Sequence, residues 1–408
     1  MNSTVNHTPA ETGTTPGDRG QRRGEEEKIR VQRSSLTSGQ KPSWTWMAVL
    51  AGALAVAAGL TFLLTGGGFS VGGFAVLLGI LYVVGMYIVD HFLETRRRAT
   101  DNLWRNLVWG TFLIALVPLV SVIWSVVGTG LPTLVTQPHL LLFDMAGVTG
   151  ADDAAYADGG SPAGGLPGGF VHALIGTVMI TLIATVISVP IGLLTSIYLV
   201  EYSRDNWFSR AIIFFVDVMT GIPSIVAGLF SFAMMQVVME RILGPGPAAM
   251  QAVKMGFSAA IALSVLMIPV VVRSTEEMLR VVPNELREGS YALGVRKWRT
   301  IFKVVLPTAI SGIASGVTLA IARVAGETAP ILVTAGYAMN INWNPFDEWM
   351  TALPVFIYRQ LVAPTSPTAT DPSLQRAWAA ALVLIVIVMG LNLIARVIAK
   401  AFAPKKGR

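Results

Sequence analysis

Residues 171–199 read VHALIGTVMITLIATVISVPIGLLTSIYL and decide the fold class, because the run is almost entirely apolar. A helix needs about 20 apolar residues to cross the hydrocarbon core of a bilayer, and this run exceeds that length. Other apolar runs near that length lie at residues 46–64, 69–89, 107–127, 211–239, 257–272, 309–328 and 377–397. The pattern predicts an all-α polytopic membrane protein with eight transmembrane helices. The longest runs are expected to tilt or kink, at Pro190 and Pro223.

The composition agrees with a membrane protein. Of the 408 residues, 53% are hydrophobic and 13% are charged, and the mean hydropathy is +0.61. Soluble domains carry roughly 25% charged residues. The chain contains no cysteine. These values exclude a disordered chain, a disulfide scaffold and a cysteine-based metal or redox site, and they disfavour a water-soluble enzyme.

The basic residues are concentrated on one side of the predicted membrane. Among the 30 Lys and Arg residues, Arg323 lies within a span and the outer segments hold only Arg241, Lys254, Arg359 and Arg376. Because Lys and Arg accumulate in cytoplasmic loops, both termini are predicted to lie in the cytoplasm, with the spans in the membrane and in contact with lipid. This topology also accounts for the net charge of +6, so no binding of nucleic acid is expected.

The chain is predicted to have three parts. Residues 1–45 form a disordered cytoplasmic tail, residues 46–106 an accessory two-helix transmembrane hairpin, and residues 107–408 the domain that carries every informative motif. The outer loop 128–170 holds four Asp residues but neither Lys nor Arg, and is expected to be mobile with little regular structure. A second outer stretch, 340–376, is rich in aromatic residues and is interpreted as an interfacial belt or a docking surface.

The sequence offers no motif for catalysis or nucleotide binding. The chain contains no Gly-Lys dipeptide and therefore no Walker A loop, and it contains no HExxH motif. Its four histidines lie far from ligand spacing. We therefore predict no catalytic residue, no metal and no cofactor in this chain. Energy for any work must come from another polypeptide or from an ion gradient.

The cytoplasmic loop 274–307 has the signals of a short helix. Pro283 suits its first turn, and Gly294 suits a left-handed turn at its end. Leu286, Ser290 and Leu293 are expected to share one face of that helix. The residues alone permit two interpretations, a compact knob that docks with a partner or an amphipathic helix that only lies at the membrane surface.

The same loop resembles the EAA loop of ABC importer permeases. That family has Glu-Ala-Ala, three residues, Gly, nine residues and then Ile-x-Leu-Pro; this chain has Glu288-Gly289-Ser290, Gly294, Val304 for the isoleucine, and Leu306-Pro307. The resemblance implies a six-helix type I ABC importer permease core over about the last six spans. It also implies that Glu288 to Gly294 inserts into an ATP-hydrolysing subunit, in which ATP and Mg²⁺ are expected.

Three ionisable residues, Asp217, Arg323 and Glu327, fall inside apolar runs, where a charge must face protein or water. Arg323 and Glu327 are four positions apart and are predicted to pair on one helix face, which Gly312 and Gly316 continue. Arginine offers planar, forked donors that match a tetrahedral oxyanion, so these helices are predicted to line an oxyanion pathway. The alternative is a structural salt bridge that fixes helix register.

The segment ARVAGETAP at 322–330 resembles the PstA family of phosphate importer permeases, as do RSTEEMLRVVP at 273–283 and PSIVAG at 223–228. The resemblance carries over Arg273, Arg323 and Glu327 as positions important for phosphate passage. It implies a PstC-type sister permease, ATP-binding subunits and an external phosphate-binding protein as partners. The alternatives are a similar permease for molybdate or sulfate, a gradient-driven secondary transporter, and a membrane-embedded enzyme or signalling scaffold.

Overall fold

The computed structural model describes residues 42, 44–64, 71–94, 96–160, 165–203 and 206–401, and all regular secondary structure in these ranges is helical. The predicted tail, residues 1–45, lies almost wholly outside the described residues. Among those described, eight helices are long and apolar enough to cross a membrane. The predicted number of spans is therefore confirmed for this part of the chain.

The chain divides into two compact units, residues 1–119 and 120–408. The first contains α1 (Thr45–Leu64), α2 (Val71–Leu93) and the beginning of α3 (Arg96–Thr136). Asn102 of α3 donates a hydrogen bond of 2.8 Å to the buried Asp90 carboxylate of α2, so a polar contact joins these two helices. The boundary expected between residues 106 and 107 falls inside α3, which continues as one helix.

The second unit contains the rest of α3 and all later elements. In chain order these are α4 (Gly150–Ala157), α5 (Val171–Ile197), α6 (Trp207–Gly221), α7 (Ser224–Leu243), α8 (Pro247–Ala252), α9 (Gly256–Val281), α10 (Asn284–Ala292), α11 (Lys297–Thr300), α12 (Leu306–Ala325), α13 (Ala329–Thr334), α14 (Leu353–Val362) and α15 (Asp371–Ala401). A 3₁₀ turn occupies Pro138–Leu141, and single π turns at Tyr198–Tyr202 and Ile301–Val305 extend α5 and precede α12.

Helix α9 is the centre of the second unit. Within the chain, 61% of its most apolar stretch is buried, against 6% for α15. The main core joins Leu263, Met267 and Val271 of α9 to side chains of α5 and α12. Small residues let the helices approach, since a Cβ on Gly192 of α5 would lie 2.7 Å from Val271 Cγ1. The core therefore fixes the position of α9, the helix that carries Arg273 and Glu276.

The two prolines act differently. Pro190 lies inside α5, which continues through it. Pro223 separates α6 from α7, because proline lacks an amide donor and forces the preceding Ile222 into an extended conformation, with ψ 128°. The predicted break at Pro223 is confirmed, but it divides the run at 211–239 into two helices, and only α7 is long enough to cross a membrane.

The loop 128–170 is folded, so the prediction of little regular structure is wrong for its described residues. It holds the end of α3, the 3₁₀ turn and α4, and Asp153 in α4 is fully buried against Arg376 of α15. Asp152 accepts hydrogen bonds from the Thr149 hydroxyl (2.7 Å) and backbone (2.8 Å), which cap α4 and lower the pKa of Asp152. Asp152 thus caps a helix and Asp153 forms an ion pair. The amino-acid composition of the loop did not predict either role.

Candidate functional site

A row of alternating charges joins α6 to α9. The Arg273 guanidinium pairs with Asp217 of α6 and, at 3.0 Å, with Glu276 one turn along α9. Glu276 also accepts a hydrogen bond of 2.7 Å from Arg280. Sequence reasoning named Asp217 and Arg273 separately, and the structure brings them together. Because α9 continues to Val281, both Arg273 and Glu276 are helical, and the connection to α10 begins at residue 282.

The two partners of Arg273 differ in their exposure. The Asp217 side chain is 56% exposed, whereas the Glu276 side chain is only 8% exposed. An exposed pair contributes about 1 kcal/mol or less, because water and salt screen it. Glu276 is thus the buried partner, held between Arg273 and Arg280, and the Asp217 carboxylate lies at the surface of the chain.

The predicted pairing of Arg323 with Glu327 on one helix face is wrong. Helix α12 ends at Ala325, Gly326 caps it, and Glu327 lies past the helix end. The amides of Gly326 and Glu327 donate to the carbonyls of Arg323 and Val324, three residues earlier, so the chain leaves the α-helical path and the spacing of four no longer puts the two side chains together. Arg323 is exposed, and within the described residues neither its side chain nor that of Glu327 forms a hydrogen bond or an ion pair.

The packing of α12 on α9 fixes the relative depths of the two arginines. A Cβ on Gly312 would meet Met278, and one on Gly316 would lie 2.6 Å from Ser274 Oγ. The predicted small-residue stripe is therefore a real line of close approach. Continuing this antiparallel register places Arg323 at the level of Met267, about 9 Å along the axis from Arg273 at a rise of 1.5 Å per residue. The arginines lie at two successive depths of one helix pair.

The connection after α9 has the predicted form. Helix α10 begins after Pro283, and Gly294 closes it in a left-handed conformation with φ +75°. Its amide donates to the Tyr291 carbonyl at 2.9 Å. Ser290 Oγ lies 2.8 Å from Thr300 Oγ1, so a hydroxyl pair ties α10 to α11. Pro307 lies near the start of α12, directly after the π turn Ile301–Val305.

An open groove of 570 Å³ runs along α10 and the segment that follows it. Its walls include Leu286, Gly289 and Leu293 on one side and Val304 on the other. Leu293 is 84% exposed, and a Cβ on Gly289 would contact no other atom. Glu288 is exposed on the same helix. The loop thus presents a short helix with a free apolar edge, while docking of Glu288 to Gly294 stays a prediction.

Sequence reasoning missed a buried ion pair beside this loop. Arg287 of α10 pairs with Glu201 at the end of α5, with Nη2 2.9 Å from Oε1. Burial, followed by the nearby Glu201 carboxylate, raises the pKa of the neighbouring Tyr291 hydroxyl. The sequence shows only that Glu201 and Arg287 have opposite charges. They are 86 residues apart, so no helical or strand spacing predicts that they pair. As for metals, the described residues contain no cluster of three or more His, Cys, Asp or Glu side chains suited to an ion.

Residues 188–408 match the family model described as "Binding-protein-dependent transport system inner membrane component". This match, together with the apolar helices and the loop geometry, defines the class: the chain is a multi-pass membrane component of such a transport system. This class of protein agrees with the six-helix permease core that the resemblance of the cytoplasmic loop implied.

The curated relatives identify the family within this class. The chain is 42% identical over 311 residues to phosphate transport system permease protein PstA 1 of Mycobacterium tuberculosis (strain CDC 1551 / Oshkosh), covering 76% of this chain and 92% of that protein. It is 39% identical to PstA of Yersinia pestis, covering 64% and 81%, and 31% identical to the probable PstA of Methanocaldococcus jannaschii, covering 73% and 93%. The chain belongs to the PstA family.

Solved structures are more distant. A structure of the MetNI methionine ABC transporter, in an inward facing conformation, is 19% identical with a TM-score of 0.44, covering 58% of this chain and 96% of that chain. An amino acid ABC transporter with histidines is 17% identical with a TM-score of 0.41, covering 57% and 93%.

Proposed function

We propose that this chain is a membrane-spanning permease subunit of an ATP-driven importer of inorganic phosphate, and that it forms half of the translocation pathway. The observation that carries the proposal is the 42% identity to a phosphate transport system permease over 92% of that relative. The other half is a PstC-type sister permease. ATP and Mg²⁺ are bound by separate ATP-binding subunits, and a phosphate-binding protein delivers the anion from outside.

The proposed orientation places α10 and both termini in the cytoplasm of a prokaryotic cell, and the spans in its plasma membrane. The distribution of Lys and Arg supports it, because these residues are abundant on the side of α10 and scarce on the other side. In this orientation the short helix and its groove face the ATP-binding subunits. Residues 288–294 and Pro307 then belong to the coupling segment between those subunits and α12.

The proposed pathway passes Arg323 and then Arg273. A phosphate entering from outside meets the unpaired Arg323 guanidinium first, about 9 Å before Arg273 by the helix register. At Arg273 it displaces Asp217, the exposed partner, while the buried Glu276 keeps the guanidinium in position. Asp217 then returns and releases the anion. Asp217 thereby has the role of competing carboxylate, and Glu327 lies beside the entry, past the end of α12.

The outer surface suits a protein that delivers phosphate. Asp153 is neutralised by Arg376, which removes one negative charge from a face that would otherwise repel an anion. Aromatic side chains there are held in place, since the Phe346 ring lies 4.9 Å from that of Phe257 and Lys254 lies 5.4 Å from the Trp349 ring. Trp343 is 70% exposed and free to meet a partner.

Copurification after gentle solubilisation tests the assembly. We expect a tagged form of this chain to bring with it a second permease and an ATP-binding subunit. Recovery of the chain without an ATP-binding subunit would count against the proposal and favour a gradient-driven transporter. Competition of labelled phosphate uptake by unlabelled molybdate or sulfate tests the substrate, and effective competition by either anion at equal concentration would contradict selectivity for phosphate.

A further inference from the structure

One arginine side chain joins three elements at the end of the molecule that carries α10. Arg287 lies on α10 and contacts Glu201, with its Nε 3.0 Å from Oε1. The same guanidinium donates to the carbonyl oxygens of Leu279 (2.9 Å) and Val282 (2.6 Å) at the end of α9. A further hydrogen bond of 3.2 Å reaches the Asn284 side chain. Arg287 therefore bonds α10 to the ends of both α5 and α9.

Burial distinguishes this ion pair from the others near the loop. The Arg287 and Glu201 side chains are 12% and 5% exposed, whereas Arg280, which pairs with Glu276, is 63% exposed. The Leu279 carbonyl is one of the last four of α9, which have no partner within the helix. Arg287 donates a hydrogen bond to this carbonyl and also neutralises the buried Glu201 carboxylate. Lysine, with a single compact ammonium, cannot span four acceptors in this planar arrangement.

The opposite end of the loop is held more weakly. Helix α10 reaches α11, and through it α12, by the hydroxyl pair of Ser290 and Thr300. A hydrogen bond between two neutral hydroxyls is weaker than a buried, charge-assisted pair with several hydrogen bonds. The polar contacts of α10 with the ends of α5 and α9 are therefore stronger than its polar contact with α11.

We propose that Glu201 and Arg287 are a positioning pair that makes α10 move as one body with the ends of α5 and α9. This inference rests on the proposed function, in which the ATP-binding subunits displace α10. Because α9 carries Arg273 and Glu276, the displacement reaches the proposed anion pathway directly. Without the pair, α10 moves on its flexible connections and ATP hydrolysis is no longer converted fully into transport.

The test uses the complete complex, with the sister permease, ATP-binding subunits and binding protein, in proteoliposomes. We expect Arg287→Ala and Glu201→Gln to assemble and hydrolyse ATP, while phosphate imported per ATP falls about fivefold or more, the lower end of usual coupling factors. Arg287→Lys should lose less. The control is Arg210→Ala, which removes an exposed arginine side chain that makes no hydrogen bond or ion pair with the described residues. Equal loss of assembly, hydrolysis and uptake would show a merely structural pair and overturn the inference.

A distance measurement tests the pair without relying on phosphate. The chain contains no cysteine, so spin labels can be placed at Leu194→Cys on α5 and Ala292→Cys on α10 without other changes. In the complete complex, we expect the distance between labels to be the same with and without ATP when the chain is otherwise unchanged, and to change with ATP in Arg287→Ala. A distance that already changes in the parent chain would overturn the inference. Absence of ATP-dependent phosphate uptake by the parent complex would instead refute the proposed function.

Discussion

Arg376 and Asp153 form an ion pair in which neither side chain has any exposure, with Nη1 2.8 Å from Oδ1 and Nη2 2.5 Å from Oδ2. Arg376 Nη1 also donates to the Pro167 carbonyl at 2.8 Å. The pair joins α4 to the start of α15, although 223 positions separate them in the chain. It is therefore the main polar tie between the 128–170 segment and the final span.

Removal of one partner of this pair should destabilise the protein. Asp153→Ala leaves the Arg376 guanidinium buried without a counter-charge, and we expect a loss of about 3–5 kcal/mol in the free energy of unfolding. Thermal unfolding of the purified protein in detergent measures the change. The control is Asp158→Ala, because Asp158 is exposed at the end of the same helix. Similar unfolding temperatures for the two variants would contradict the structural role of the pair.

The close approach of α12 to α9 predicts a contrast between two glycines. Gly316→Ala places a methyl group 2.6 Å from Ser274 Oγ, so the helices must separate, and overpacking of this kind costs about 1–3 kcal/mol. Gly390→Ala in α15 meets nothing within 4 Å, and should be neutral or slightly stabilising because alanine favours helix. Unfolding curves of both variants decide the point, and a stable Gly316→Ala would show that the register is looser than described.

Two glycines of the α10 segment should respond to alanine with opposite signs. Gly294 has φ +75°, so Gly294→Ala should destabilise the end of α10 by about 1–2 kcal/mol. Gly289 lies inside the helix with free space around it, so Gly289→Ala should stabilise α10 by up to about 1 kcal/mol. Amide hydrogen exchange of residues 289–295 reports both changes. Faster exchange in Gly289→Ala would refute the helical assignment of its site.

Much of the fold could be predicted from the sequence, because a bilayer imposes a length and an apolarity on each span. Pro283 and Gly294 also act locally, through fixed backbone preferences, and their roles were predictable. The pairs Arg376–Asp153 and Arg287–Glu201 were not, since a buried charge finds its partner through tertiary packing. The prediction that Arg323 pairs with Glu327 failed for a related reason. Their spacing of four residues indicates a pair only if the helix continues through Gly326, and it ends at Ala325.

The exchange of partners at Arg273 predicts a specific kinetic change. In Asp217→Asn the guanidinium loses its exposed competitor, so phosphate should bind more tightly and leave more slowly. We expect both KM for phosphate and the maximal uptake rate to fall, by about fivefold or less because an exposed pair contributes about 1 kcal/mol or less. Arg273→Gln should lose uptake instead. A raised KM in Asp217→Asn would contradict the competitor role.

The most direct measurement is uptake of labelled phosphate by proteoliposomes that contain this chain, its sister permease, the ATP-binding subunits and the binding protein. The account predicts uptake that requires ATP, that stops when the ATP-binding subunits are left out, and that is lost in Arg323→Gln. Uptake that persists without the ATP-binding subunits and follows an ion gradient, or full ATP-dependent uptake by Arg323→Gln, would contradict it.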